Sequence, residues 1–139
     1  LNPVTSTSLF VVVPGKPVTN NLVTRSRGAG APYKNPRSRA YQQRVAACAL
    51  EAAIAAHWIS PPCARVDIVV INHYIDADNA AKTAVDALRG IAIVDDNRTH
   101  MRAISVEHAI DDVDPEPRIH ITIEPCEPLP LRSRKRKRQ

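Results

Sequence analysis

The stretch that decides the fold is ARVDIVVINHYIDADNAAKTAVDALRG, residues 64–90. From Ala64 to Tyr74 it is rich in β-branched residues, with Val66, Ile68 and Val70 on one face of an extended chain and Val69 and Ile71 on the other. Apolar residues on both faces predict a central strand. From Asp78 the period becomes helical: Ala81, Val85 and Leu88 recur on one face. Asp78 stands where an N-cap would, and Gly90 follows the last helical residue as a C′ glycine.

Upstream, Leu9 to Val13 is a short apolar run closed by Pro14-Gly15, which predicts a strand and a turn. Lys16 to Pro36 has Pro, Gly, Asn and Ser, four basic residues and no apolar period, and predicts a long basic loop. Ser38 to about His57 lacks Gly and Pro and repeats Tyr41, Val45, Cys48/Ala49, Ala52 and Ala56 at helical spacing, with Ser38 as the expected N-cap and Ser60-Pro61-Pro62 as the stop. Downstream, Ile91 to Val94 leads to Asp95-Asp96. His100–Ile110 and Arg118–Ile123, separated by the turn-forming Asp111–Pro117, predict a hairpin. The expected architecture is α+β, two helices packed on a mixed four-stranded sheet in the order β-α-β-α-β-β. Residues 1–7 are expected to be a flexible lead-in, 8–124 the folded domain, and 125–139 a basic disordered tail.

Of the 139 residues, 44% are hydrophobic and 24% charged, which supports one core and excludes wholesale disorder. No apolar run approaches the roughly 18–20 residues of a membrane span, and the first residues lack a secretory layout. The expectation is a cytoplasmic protein, bacterial or phage-encoded, with no membrane partner. Cys48, Cys63 and Cys126 show no zinc-ligand spacing and are expected to be reduced. The formal charge of +5 conceals a segregation. Residues 1–50 carry seven basic and no acidic residues, residues 51–131 carry six basic against all fourteen acidic, and the last eight residues add six basic ones. An acidic centre between two basic ends is the pattern to explain.

The candidate chemistry lies in Asp76-Ala77-Asp78-Asn79-Ala80-Ala81-Lys82 and in Asp95-Asp96. Alternate residues leaving a strand point to one side, so Asp76 and Asp78 are expected to present two carboxylates together, with Lys82 one helical turn beyond Asp78. A helix from Asp78 to Arg89 carries the chain about 17 Å away at ~1.5 Å per residue. Gly90 to Asp96 spans about 23 Å if extended at ~3.3 Å per residue, so a return to the cluster is permitted, though not required. Crowded carboxylates repel unless they hold a cation, and all-oxygen donors favour Mg²⁺ or Mn²⁺. An EF-hand is excluded, because counting from Asp76 puts Ala81 where the glycine belongs and Ala87 where the bidentate glutamate belongs. On spacing alone a purely structural reading stands equally: Asp78 an N-cap, Asp76 a solvated strand end, Asp95-Asp96 a turn. His73 is read as a strand histidine ahead of a role beside Asp76, and Trp58 as a core residue. Tyr33 is open between a base-stacking role and none.

These residues resemble the RusA family of Holliday-junction resolvases. The likeness is to D-x-D-N-x-x-K-x-x-x-D-x-L followed by a D-D pair, here Asp76, Asp78, Asn79, Lys82, Asp86, Leu88, Asp95 and Asp96. It covers roughly residues 8–124, while the composition of the basic loop and the basic tail depart from the pattern. The resemblance implies a homodimeric, Mg²⁺-dependent endonuclease that resolves four-way DNA junctions by paired symmetric nicks. It implies Asp76, Asp78 and Asp96 as catalytic, metal-holding aspartates, Lys82 as the catalytic lysine, and Asn79 and Asp95 as supporting residues. DNA contacts are expected from Arg25, Arg27, Lys34, Arg37 and Arg39, and from Arg132, Arg134, Lys135, Arg136, Lys137 and Arg138. Two alternatives remain at this point: a nuclease of the same fold acting on flaps, forks or other branched DNA, and a non-catalytic DNA-binding protein.

Overall fold

The structure, a computed structural model, describes residues 8–18, 23–24, 33–34 and 36–130. The expected lead-in, Arg25, Arg27 and residues 131–139 of the expected tail lie outside them, while residues 125–130 of that tail are described, with Pro125 closing the last strand and the Cys126 amide donating to the Cys63 carbonyl at 3.1 Å. Among the described residues the elements follow in the order β1 (Leu9–Pro14), β2 (Val23–Thr24), β3 (Tyr33–Lys34), α1 (Pro36–Ala55), β4 (Ala64–Ile71), α2 (Ala77–Leu88), β5 (Met101–Ala109) and β6 (Arg118–Pro125). β1, β6, β4 and β5 form a mixed four-stranded sheet in that spatial order, with β6 antiparallel to both neighbours and β4 parallel to β5. The predicted architecture is therefore the observed one. The one addition is the β2–β3 pair inside the segment read as loop, which joins Val23 to Lys34 and Thr24 to Tyr33.

Alternation decides which face of the sheet is covered. Leu9, Val11 and Val13 of β1, Val66, Ile68 and Val70 of β4, and Ile119, Ile121 and Ile123 of β6 are all buried on the helix side. α1 meets them with Tyr41, Val45, Ala49 and Ala53 at intervals of four, and α2 with Ala80, Ala84 and Leu88. Short alanine side chains let both helices lie close to the sheet. The opposite face carries Phe10, half-exposed and edge-on to His120 with ring centroids 5.2 Å apart.

β5 and β6 are not a hairpin. β4 lies between them, and the 110–117 connection steps over it. The more apolar strand takes the interior place: β6 buries three isoleucines, whereas every residue of β5 is at least partly exposed. β5, with Arg102, Ser105, Glu107 and His108, is the edge that water can solvate.

Helix boundaries shift for identifiable reasons. α1 starts at Pro36, whose fixed φ and missing N–H suit the first helical position, so Ser38 is a buried residue of the first turn and not the cap. α1 ends with His57 in left-handed backbone (φ 52°) and the Trp58 amide donating to the Ala53 carbonyl at 2.9 Å, a Schellman closure. α2 starts one residue before Asp78, and its N-cap is Asp76. Gly90, at φ 75°, is the C′ residue as predicted.

Candidate active site

β4 stops at Ile71, three residues earlier than its apolar pattern, because Asn72 adopts left-handed backbone at φ 57°. Asparagine tolerates that region better than most residues. Its side chain then fastens the corner: Nδ2 donates to the carbonyls of Asp111 (3.1 Å) and Asp114 (2.8 Å), and Oδ1 accepts from the Asp111 amide (2.9 Å). The Asp111 amide end of this loop is held in turn by Arg118, whose Nη2 lies 2.6 Å from the Asp111 carboxylate. Donation from the Asp114 amide, then from Arg118, keeps that carboxyl below the usual range.

Beyond the corner, Ile75 is buried, and its carbonyl accepts a 2.7 Å hydrogen bond from His108 Nε2 at the end of β5. Tyr74 lies exposed with its ring stacked on His108, centroids 5.5 Å apart. Asn72, His73, Tyr74, His108, Ala109 and Ile110 line an open cavity of about 630 Å³ at the carboxyl ends of the parallel pair β4 and β5. In such sheets this edge is the usual ligand-binding side.

Asp76 and Asp78 stand beside it. They are not alternate residues of a strand, as the spacing suggested. Asp76 is the N-cap, with its side chain making no capping bond, and Asp78 lies in the first helical turn. Both are exposed, at the helix end where the backbone dipole favours negative charge. Lys82 is exposed one turn below Asp78, and Asn79 accepts a 2.9 Å bond from Thr83 Oγ1 at its carbonyl.

Asp95 and Asp96 do not join them. After α2 the chain spends its reach on a tight reversal: the Gly90 amide donates to the Ile93 carbonyl at 2.8 Å, and Arg89 and Ile93 form an isolated bridge. Ala92 and Ile93 are fully buried there, and Trp58 Nε1 donates to the Ala92 carbonyl at 2.9 Å. Burial of these apolar residues outweighs an extended return path. Asp96 ends 3.8 Å from Nη1 of Arg89, whose Nη2 lies 3.9 Å from Asp86. Asp95 accepts the Asp96 amide at 2.7 Å, which holds its carboxyl below the ordinary range, with Arg89 and His100 adding positive charge. The pair thus sits at the C-terminal end of α2, near the start of β5, where the His100 carbonyl accepts from the Ala64 amide at 2.8 Å. α2, 12 residues long, runs about 18 Å at ~1.5 Å per residue between the ends at which the two acidic groups stand.

A divalent cation with carboxylate ligands needs their oxygens within about 4–5 Å of one another, given bonds of ~2.0–2.6 Å. No three His, Cys, Asp or Glu side chains among the described residues meet that demand. Asp76, Asp78 and Asp96 are therefore not gathered into one three-ligand group among the described residues of the single chain.

Of the expected DNA contacts, Arg37 and Arg39 are exposed at the start of α1. Arg39, with Gln42, Gln43, Ala46, Asp86 and Ala87, lines a second open cavity of about 380 Å³ between the two helices. The side chain of Lys34 and the basic residues from Arg132 to Arg138 lie outside the described residues. His73 lines the cavity at the β4 corner, while His108, whose sequence position shows no ligand spacing, hydrogen-bonds the carbonyl of Ile75, the residue before Asp76. Asn72 and Arg89 were passed over. A polar residue ending an apolar strand was the only available signal for Asn72, and Arg89 had none beyond its place beside Gly90. Trp58 is half-buried against the core, as expected. Cys63 and Cys126, both free, lie across the β4–β6 ladder with sulfurs 3.4 Å apart.

No described helix is long and apolar enough to cross a membrane. A comparison with curated proteins gives no match. A family model described as Endodeoxyribonuclease RusA matches residues 14–124, from the last residue of β1 to within β6.

Proposed function

The chain belongs to the RusA endodeoxyribonuclease family, and from that premise we propose that it is a Mg²⁺-dependent nuclease that resolves four-way DNA junctions by paired symmetric nicks. The observation that carries the reading is the placement of Asp76 and Asp78. Two exposed carboxylates stand at the N-terminal end of α2, with exposed Lys82 one turn along the helix, next to the corner that lines an open cavity at the carboxyl edge of the sheet.

The chain's own groups divide the work as follows. Asp76 and Asp78 supply hard oxygen donors where a cation would neutralise their mutual repulsion and their repulsion of phosphate. Lys82, one turn along, offers a mobile ammonium to a phosphate oxygen gaining charge. Arg37 and Arg39 present positive charge to the DNA backbone from α1, with the basic residues outside the described range as further grips. Asn72 and His108 hold the corner from which Asp76 projects. Mg²⁺, when bound, would supply charge neutralisation and an activated water.

The test is a synthetic mobile junction incubated with protein and Mg²⁺, with the cuts mapped. Symmetric nicks on two opposed strands support the reading. A single cut at a flap or fork assigns the protein to other branched DNA, and binding without Mg²⁺-dependent cutting assigns it to a non-catalytic role. Asp76→Asn should abolish cutting while junction affinity stays the same or rises, since it removes negative charge facing phosphate. Retained Mg²⁺-dependent cutting by that variant would sink the assignment.

A further inference from the structure

The end of β4 opposite to Asp76 carries a pair of thiols that the proposed reaction does not use. β4 and β6 run antiparallel with Ala64 opposite Pro125, and one step further along the same register Cys63 stands opposite Cys126. The Cys126 amide donates to the Cys63 carbonyl at 3.1 Å, and the two sulfurs lie 3.4 Å apart. Residues opposed at a hydrogen-bonded position of an antiparallel ladder have Cα atoms about 5.5 Å apart, inside the usual disulfide span of ~4.4–6.8 Å. The sulfurs reach a bonding distance of ~2.0 Å by side-chain rotation.

Exposure fixes the order in which the two would react. Cys63 is buried, at 1% exposure, and Cys126 is half-buried. A hydroperoxide therefore meets Cys126 first. The thiolate attacks the distal peroxide oxygen, the O–O bond breaks, and the departing alkoxide or hydroxide takes up the proton that the thiol gave. Cys63 then attacks the sulfenic sulfur of Cys126: the S–S bond forms, the S–O bond breaks, and hydroxide leaves with the Cys63 proton as water. The two thiols lose two electrons, and the peroxide gains them. Burial first, then hydrogen bonding with Cys63, pushes the Cys126 thiol up. Its thiolate is scarce at neutral pH, so the pair closes slowly under sustained oxidant, unlike the low-pKa cysteines of peroxide sensors.

We propose that Cys63 and Cys126 are a disulfide site, closed by hydroperoxides and opened by dithiols, whose bond fastens the end of β6 and the turn that bears Asp95 and Asp96. Cys126 lies just beyond the last residue of β6, held by its amide bond to Cys63 and by Arg102, whose Nη1 donates to the Glu127 carbonyl at 3.0 Å. Strand ends held in this way open locally at low cost. A covalent link between positions 63 apart in sequence removes that opening and constrains the unfolded chain. The neighbours of Cys63 carry the effect to the turn. The Pro62 carbonyl accepts from His100 Nδ1 at 2.9 Å, and the Ala64 amide donates to the His100 carbonyl at 2.8 Å. The His100 amide donates to the Asn97 carbonyl at 3.0 Å, and Asn97 Nδ2 donates to the Asp95 carboxylate at 3.4 Å. Fixing Cys63 thus fixes the anchor of the 95–100 turn.

The experiment treats the full chain with excess hydrogen peroxide and needs neither metal nor DNA. The intact mass should fall by two hydrogens, the thiols titrated after denaturation should fall from three to one, and peptide mapping should recover Cys63 joined to Cys126 in a band of single-chain size on a non-reducing gel. A dithiol should restore all three thiols. Cys48→Ser should still lose the two hydrogens, and Cys126→Ser should not. The oxidised wild type should melt about 5 °C or more above the reduced form, a shift absent from Cys126→Ser. The His100 and Met101 amides, both donating to the Asn97 carbonyl, should exchange hydrogen about fivefold more slowly or slower still. Three thiols surviving the peroxide, or Cys126 gaining oxygen without a link to Cys63, overturns the disulfide. A linked chain with unchanged melting or unchanged exchange overturns the fastening of the turn.

Discussion

Asp76 owes its position to residues that do no chemistry. His108 donates from Nε2 to the Ile75 carbonyl at 2.7 Å, and Asn72 closes three hydrogen bonds across the corner where β4 turns toward α2. Removing the imidazole leaves a carbonyl next to Asp76 without its donor and strips the support from beneath Tyr74. Misplacing a reacting group by about 1 Å can cost on the order of 100-fold in rate. His108→Ala is expected to lower the cleavage rate constant by about tenfold or more, with junction affinity little changed, since His108 faces no phosphate-binding lysine or arginine in the described structure. His108→Gln, whose amide can donate to the same carbonyl, should recover part of the rate. Single-turnover cleavage alongside a binding titration checks this; equal losses in affinity and rate would make His108 a fold residue and not a positioning one. The same corner shows what sequence reading reaches at this scale. Asp76, Asp78 and Lys82 stand out in the sequence as candidate site residues. That Asp76 caps the helix was not legible there, because it depends on Asn72 ending the strand three residues before its apolar pattern does.

The elements show which parts of a fold are local. β4 and α2 were legible because each carries its own period, two and then 3.6, within residues 64–90. The hairpin failed because strand pairing is not local. β5 and β6 adjoin in sequence, but β6 carries three buried isoleucines and β5 none, so β6 takes the place between β1 and β4. The reversal after α2 was missed for a related reason: a count of residues bounds how far a chain can reach and does not say where burial of Ala92 and Ile93 will hold it. Gly90 is the hinge of that reversal. A Cβ there would meet nothing within 4 Å, so a substitution is opposed by backbone conformation alone. Gly90→Ala should cost about 1 kcal/mol, the penalty of an L-residue in left-handed backbone, and Gly90→Asn less. Denaturant unfolding measures both. A loss well above that for Gly90→Ala would mean that the turn holding Asp95 and Asp96 has moved as well.

At the scale of the whole molecule, the charge partition has to be reconciled with DNA as substrate. The fourteen acidic residues all lie in residues 51–131, which carry a net −8, and the described carboxylates of the site face outward. Such a surface repels a phosphate backbone at any distance within the Debye length, about 10 Å at 0.1 M salt. Binding must therefore come from the seven basic residues before residue 51 and the six after residue 131. Each phosphate contact contributes about 0.9 to the slope of log affinity against log salt on duplex DNA. If the final run reaches the backbone, deleting residues 131–139 should flatten that slope by about 1 to 5, according to how many of its six charges sit on phosphates. Affinity should fall most at low salt, while the position of the nicks stays where it was, because the run lies outside the part of the chain that matches the family. Junction binding titrated from about 50 to 200 mM salt separates the cases. An unchanged slope would remove the run from the interface and leave the N-terminal basic residues, Arg37 and Arg39 among them, as the sole grip. A changed nicking position would mean that these residues help to seat the junction against the aspartates as well as to attract it.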